Sequence, residues 1–110
     1  RAYGSITVSP HAIATVAARA ARQSYGVVGM ASRNRFAGLS ARKASQGVEV
    51  ALESDQILID LYLVVEYGTR ISSVATSVAN SVQYQVELFI GLPVAAVNVH
   101  VQDLRVSGEE

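Results

Sequence analysis

Two histidines, His11 and His100, are the residues best suited by type to catalysis or metal binding. A zinc-type site takes three or four ligands at short, defined spacings. Neither histidine has a second ligand in an HxxH or HxH arrangement, and the chain contains no cysteine. Both therefore read as surface residues, and no metal or cofactor is expected. Absent cysteine also excludes a thiol nucleophile and a disulfide framework, and is compatible with the cytosol. Serine is plentiful, but a serine nucleophile needs a strained turn of the GxSxG kind, which is missing. Asp60 and Glu66 alternate onto one face of a predicted strand. Six residues of strand separate their carboxylates by roughly 20 Å, too far for a glycosidase pair. No catalytic residue is assigned, and the chain is expected not to be an enzyme.

Two patterns point to anions instead. Gly26-Val-Val-Gly29 fits the GXXG loop that clamps a nucleic-acid backbone between two helices. Its inner residues are apolar and a strand is expected to follow it, so it reads better as a turn into the core. Arg33, Arg35, Arg42 and Lys43, with Phe36 among them, form the sharper feature: a basic loop able to meet nucleic acid, anionic headgroups or an acidic protein face. Four charges and one aromatic are few for tight nucleic-acid binding, and charge runs are usually solvated. Nucleic acid is the weaker partner. The wider charge pattern allows an interaction role but reads first as two halves interleaved by the fold. Seven basic residues and no acid precede Glu49, whereas nine acids and two bases follow from it, for a formal net charge of zero. Such asymmetry suits an anionic partner or head-to-tail self-association, unless the fold interleaves the halves and cancels the field.

The elements that would position these residues follow from periodicity. Residues 4–8 read as a short strand. Ser9 and Pro10 then supply an N-cap and a first helical position, and Ile13, Val16, Ala17, Ala20 and Ala21 recur at helical spacing up to Gly26. Residues 27–31 could add a short strand. The stretch 32–46 lacks periodicity and reads as a mobile loop, long for a small domain. Residues 47–53 and 57–67 alternate as two strands of a β-hairpin joined by Ser54-Asp-Gln56, with Ile59, Leu61 and Leu63 inward and Leu58, Tyr62 and Val64 outward. A second helix runs over about 70–90, its stripe formed by Ile71, Val74, Ala75, Val78, Val82 and Val86 and closed by Phe89 or Ile90. Gly91 and Pro93 stop it. The last strand spans about 95–106. Its alternation slips at Gln102 and Asp103, which requires a bulge or an early end.

The order is β-α-(β)-β-β-α-β. Two amphipathic helices must bury their stripes, and the inward strand faces are the available partner. The expected fold is α+β, a two-layer sandwich with two helices on one face of a four- to five-stranded mixed sheet. Its 110 residues, half of them apolar, make a single domain over 1–110. The outward sheet face mixes Leu58, Tyr62 and Val64 with polar residues, making it a candidate association face. No apolar run reaches the roughly 20 residues of a membrane span, and no signal-peptide pattern opens the chain.

Together these residues resemble the alkaline shock protein family, the bacterial envelope stress response proteins. The resemblance rests on Gly4-Ser-Ile-Thr-Val-Ser-Pro-His-Ala-Ile-Ala-Thr-Val-Ala and Tyr25-Gly-Val-Val-Gly-Met30; on Gly47-Val-Glu-Val and Ile59-Asp-Leu-Tyr-Leu-Val-Val-Glu-Tyr-Gly68; and on Gly91-Leu-Pro-Val and Val97-Asn-Val-His-Val101. It covers nearly the whole chain outside 32–46. It implies a non-enzymatic cytoplasmic protein tied to cell-envelope homeostasis, in a family with members that self-assemble and are recruited to the membrane by an anchoring protein. A homo-oligomer and a membrane-anchoring protein partner are therefore expected.

Overall fold

The computed structural model describes residues 7–31 and 47–106. Helix α1 spans Pro10–Arg22, strand β1 Val27–Met30, β2 Val48–Glu53, β3 Gln56–Glu66, helix α2 Ile71–Ile90 and strand β4 Ala96–Arg105. Most of the first predicted strand, and the whole loop with Arg33, Arg35, Arg42 and Lys43, lie outside the described residues. Thr7 and Val8, its described part, are in no strand.

Strand β3 is the axis of the sheet. β2 pairs antiparallel with its first half and β1 antiparallel with its second half. β4 pairs parallel along Leu58–Glu66. A strand has two edges, so β1 and β2 must share one edge end to end, with β4 on the other. Tyr62 marks the junction: its N–H donates to Gly47 O and its C=O accepts from the Ala31 N–H, at 2.9 and 2.8 Å. The sheet is mixed, and α2 forms the crossover that a parallel β3–β4 pair requires.

The helices begin and end on local chemistry. The Ser9 hydroxyl accepts from the Ala12 N–H at 3.1 Å, and Pro10 occupies the first turn, where a missing N–H costs nothing. α2 ends at Gly91, whose φ of +83° is the left-handed cap. The β2–β3 turn is shorter than its sequence suggested. Ser54 and Asp55 both take positive φ, while Gln56 joins β3 opposite Glu53, as in a two-residue hairpin of the I′ class.

The core lies between the helices and the inner sheet face. Ile59, Leu61, Leu63 and Val65 alternate inward and are fully buried, and meet Val74, Val78, Val82 and Val86 of α2. From α1 come Ala14, Ala17, Ala18 and Ala21, whose small side chains let that helix lie close. The slip in β4 is a bulge. Val101 faces Leu63 but Asp103 faces Val64, leaving Gln102 as the extra residue. Without it, period-two alternation would send Asp103 into the core; with it, Leu104 pairs with buried Val65 and Asp103 turns outward.

Candidate association surface

The outer face of the sheet is built from the alternate residues of three lanes. Register places Asp60 beside Glu49 on one edge and Asn98 on the other, and Tyr62 beside His100. The His100 ring stacks on the Tyr62 ring with centroids 4.7 Å apart and planes 12° from parallel. His100 Nε2 lies 3.0 Å from Asp60 Oδ1. The Tyr62 hydroxyl donates to Glu49 Oε1 at 3.3 Å. Glu49 and Asp60 are like charges directly opposite one another, an unfavourable cross-strand pair; the Tyr62 hydroxyl and the His100 ring offset it. The centre of this face thus links Glu49, Tyr62, His100 and Asp60 in one chain of contacts, with Asn98 exposed beside Asp60.

The candidate association residues fall around this network. Leu58 and Val64 are on the outer face and half-buried. Tyr62 is on the same face but only 7% exposed, so its ring supports the surface rather than projecting from it. Leu58 has Ala51 and Ala96 as its cross-strand neighbours, whereas Val64 has Gly29 and Asp103. Of the two histidines, His11 is exposed in the first turn of α1, and His100 belongs to the network. Gly26 sits between α1 and β1 at φ +88°, with a Cβ position only 2.6 Å from Val74 Cγ2. It is a close-approach turn into the core, as its apolar neighbours suggested, and not a helix–helix clamp. Among the described residues no three His, Cys, Asp or Glu side chains gather as a metal site.

Sequence reasoning missed a second surface. Tyr84, Leu88, Phe89 and Leu92 stand exposed by 62, 67, 52 and 57% at the C-terminal end of α2. By sequence either Phe89 or Ile90 can close the apolar stripe, and it is Ile90 that packs on the core. At the other end of α2 an open cleft of about 380 Å³ is lined by Tyr25, Gly68, Thr69, Arg70, Ser73, Val74 and Ser77. Below the C-terminus, Glu87 anchors the exit loop: its Oε2 accepts from the Val94 N–H at 2.9 Å and from Gln83 Nε2 at 3.2 Å. The Val94 backbone bond, then the Gln83 bond, holds the Glu87 carboxyl below its usual range.

The fold is an α+β sandwich with two helices on one face of a mixed sheet and a polar-and-aliphatic outer face, an architecture that does not by itself define a function. Comparison with known proteins gives the family. Residues 1–106 match the alkaline shock protein 23 family, whose description is a cell envelope-related function. The uncharacterized protein YloU of Bacillus subtilis (strain 168) is 46% identical over 110 residues, which cover 96% of this chain and 92% of YloU. YqhY of the same organism is 33% identical over 89% of this chain and 75% of its own length. The chain belongs to the alkaline shock protein family. Among solved structures, a MamM variant matches with a TM-score of 0.55 at 15% identity, covering 88% of this chain and 99% of that one; at this identity the likeness is one of fold. No helix among the described residues is long and apolar enough to cross a membrane.

Proposed function

We propose that this chain is a non-enzymatic structural or scaffolding protein of cell-envelope homeostasis, acting in the cytoplasm by associating with copies of itself and with protein partners. A membrane-anchoring protein would be one such partner, holding the domain near the membrane without a span of its own.

The observation that carries this reading is the linked Glu49, Tyr62, His100 and Asp60 network at the centre of the outer sheet face. Burying a polar group without a partner costs about 1–3 kcal/mol. On this face Asp60, Tyr62 and His100 already have each other, so a partner can cover them without stranding them. Leu58 and Val64, on either side along β3, then supply the apolar contact. An enzyme pocket has the opposite character, with polar groups held open for a substrate.

Purification of the chain at low salt, with absorbance and mass measured together, tests the reading. Protein free of nucleic acid that forms concentration-dependent oligomers is the expected result. Nucleic acid retained at low salt, released by raising it, and lost when Arg33, Arg35, Arg42 and Lys43 are neutralised would overturn it in favour of anion binding.

A further inference from the structure

The exposed side of α2 is unusual for a surface helix. Over twenty residues, Ile71–Ile90, it carries one charged side chain, Glu87, and that carboxylate is hydrogen-bonded to Val94 and Gln83. Surfaces of small soluble domains are usually about a quarter charged or more. The i, i+4 ridges of α2 show how the uncharged residues are distributed. Val74, Val78, Val82 and Val86 form the buried ridge. Next to it runs Ser73, Ser77, Ser81, Gln85 and Phe89, and outermost runs Ser72, Thr76, Asn80, Tyr84 and Leu88. All of these are exposed except the partly buried Ser81.

Both outward ridges change character midway. Their N-terminal halves hold small hydroxyl residues beside the open cleft at Tyr25, Gly68 and Ser73. Their C-terminal halves hold bulky side chains, Tyr84, Leu88 and Phe89, more than half exposed. The bulky and small ends lie about 24 Å apart along the helix, at 1.5 Å per residue.

We propose that this side of α2 is a second self-association surface, on which the α2 helices of two copies cross antiparallel about a two-fold axis at Asn80. It rests on the reading above only in that copies of the chain meet; the surface is a different one. A two-fold contact sets each residue against its mirror position along the ridge. Centred on Asn80, the outermost ridge matches Leu88 with Ser72 and Tyr84 with Thr76. About the same axis, Ser73 of the adjoining ridge lies within about 3 Å along the helix of the position opposite Phe89. Every bulky residue meets a small one, and the Leu88–Phe89 knob of each copy enters the other's cleft against Tyr25.

Electrostatics select a second copy over a charged partner. A surface that meets itself suffers from any net charge it carries, and this one has almost none to repel. The antiparallel arrangement also opposes the helix dipoles. It brings Arg70, at the N-cap of one α2, towards the C-terminus of the other, whose last turn has no basic residue of its own.

These 110 residues contain no cysteine, so Asn80→Cys reports the axis directly. A disulfide needs Cα atoms about 4.4–6.8 Å apart, a spacing that residue 80 reaches only near the two-fold. The expected result is a disulfide-linked dimer of the Asn80→Cys chain under mild oxidation at micromolar concentration. Adding Leu88→Glu should weaken dimerisation by about tenfold or more and remove the cross-link, with the circular dichroism of the fold unchanged. Leu58→Glu, on the sheet, should leave the cross-link in place. A parent that associates yet gives no cross-link at residue 80, and responds to Leu58→Glu alone, overturns the α2 contact and leaves the sheet-face reading standing. A cross-link that Leu88→Glu abolishes, in a chain indifferent to Leu58→Glu, supports the α2 contact and removes the sheet face. A parent that is monomeric throughout overturns both, and leaves the α2 surface to a different protein.

Discussion

His100 Nε2 sits 3.0 Å from Asp60 Oδ1 across forty residues of chain, and this pairing sets the character of the outer sheet face. It fixes the imidazole over Tyr62, and the stacked ring covers that tyrosine. His100→Ala should therefore cost about 0.5–1.5 kcal/mol in urea denaturation, the usual worth of a stacked ring pair, and expose Tyr62 to solvent. Asp60→Asn, which keeps a hydrogen-bond acceptor, should cost less. Equal losses from both variants would mean that charge, not ring placement, holds the network.

Leu61 lies at the centre of the inner face, fully buried between α1 and α2. Leu61→Ala should destabilise the fold by about 2–5 kcal/mol in denaturant titration. A loss below about 1 kcal/mol would contradict this placement.

Gly26 is required both by its left-handed φ and by Val74 above it. Gly26→Ala adds a methyl group where 2.6 Å is available, besides the strain of the backbone conformation itself. The expected cost is roughly 1–3 kcal/mol, with the melting temperature as readout. Gly68→Ala is the useful contrast, since it has positive φ but open space around it. It should be the milder change.

Glu87 gives a pH-dependent contribution whose sign follows from its hydrogen bonds. Its folded-state pKa is lowered from 4.5 by the Val94 N–H and then by Gln83. The stabilisation is therefore present above the unfolded-state pKa and is lost as pH falls through the lower folded value. Carboxyl chemical shifts followed by NMR titration should place Glu87 below 4.5, and Gln83→Ala should move it part of the way back. A midpoint at or above 4.5 would contradict the hydrogen bonds by which Glu87 holds the exit loop.

Much of this fold was legible because local chemistry and global packing agree. Ser9 and Pro10 began α1 where expected, the valine spacing gave α2, and the slip at Gln102 and Asp103 required a bulge or an early strand end, of which the β3–β4 register contains the bulge. The candidate association surface was legible only in part. Alternation placed Leu58, Tyr62 and Val64 on one face, but the near-complete burial of Tyr62 depends on His100, brought alongside by a parallel register that no local pattern encodes. At the end of α2 the helical period itself separates two adjacent apolar residues: Ile90 continues the ridge of Val74, Val78, Val82 and Val86 into the core, and Phe89 falls on the neighbouring exposed ridge.

Sedimentation of the purified chain from low to high micromolar concentration, at low and high salt, tests most directly whether this domain works by assembling. The mean mass should rise with concentration. Any part driven by the opposed charges of the two halves should weaken above roughly 0.15 M salt, where the Debye length is about 8 Å, while the apolar part persists. Leu58→Glu should lower the mass at every concentration without unfolding the chain. A chain that remains a monomer under all of these conditions, or a variant that assembles as the parent does, would contradict association through the sheet face.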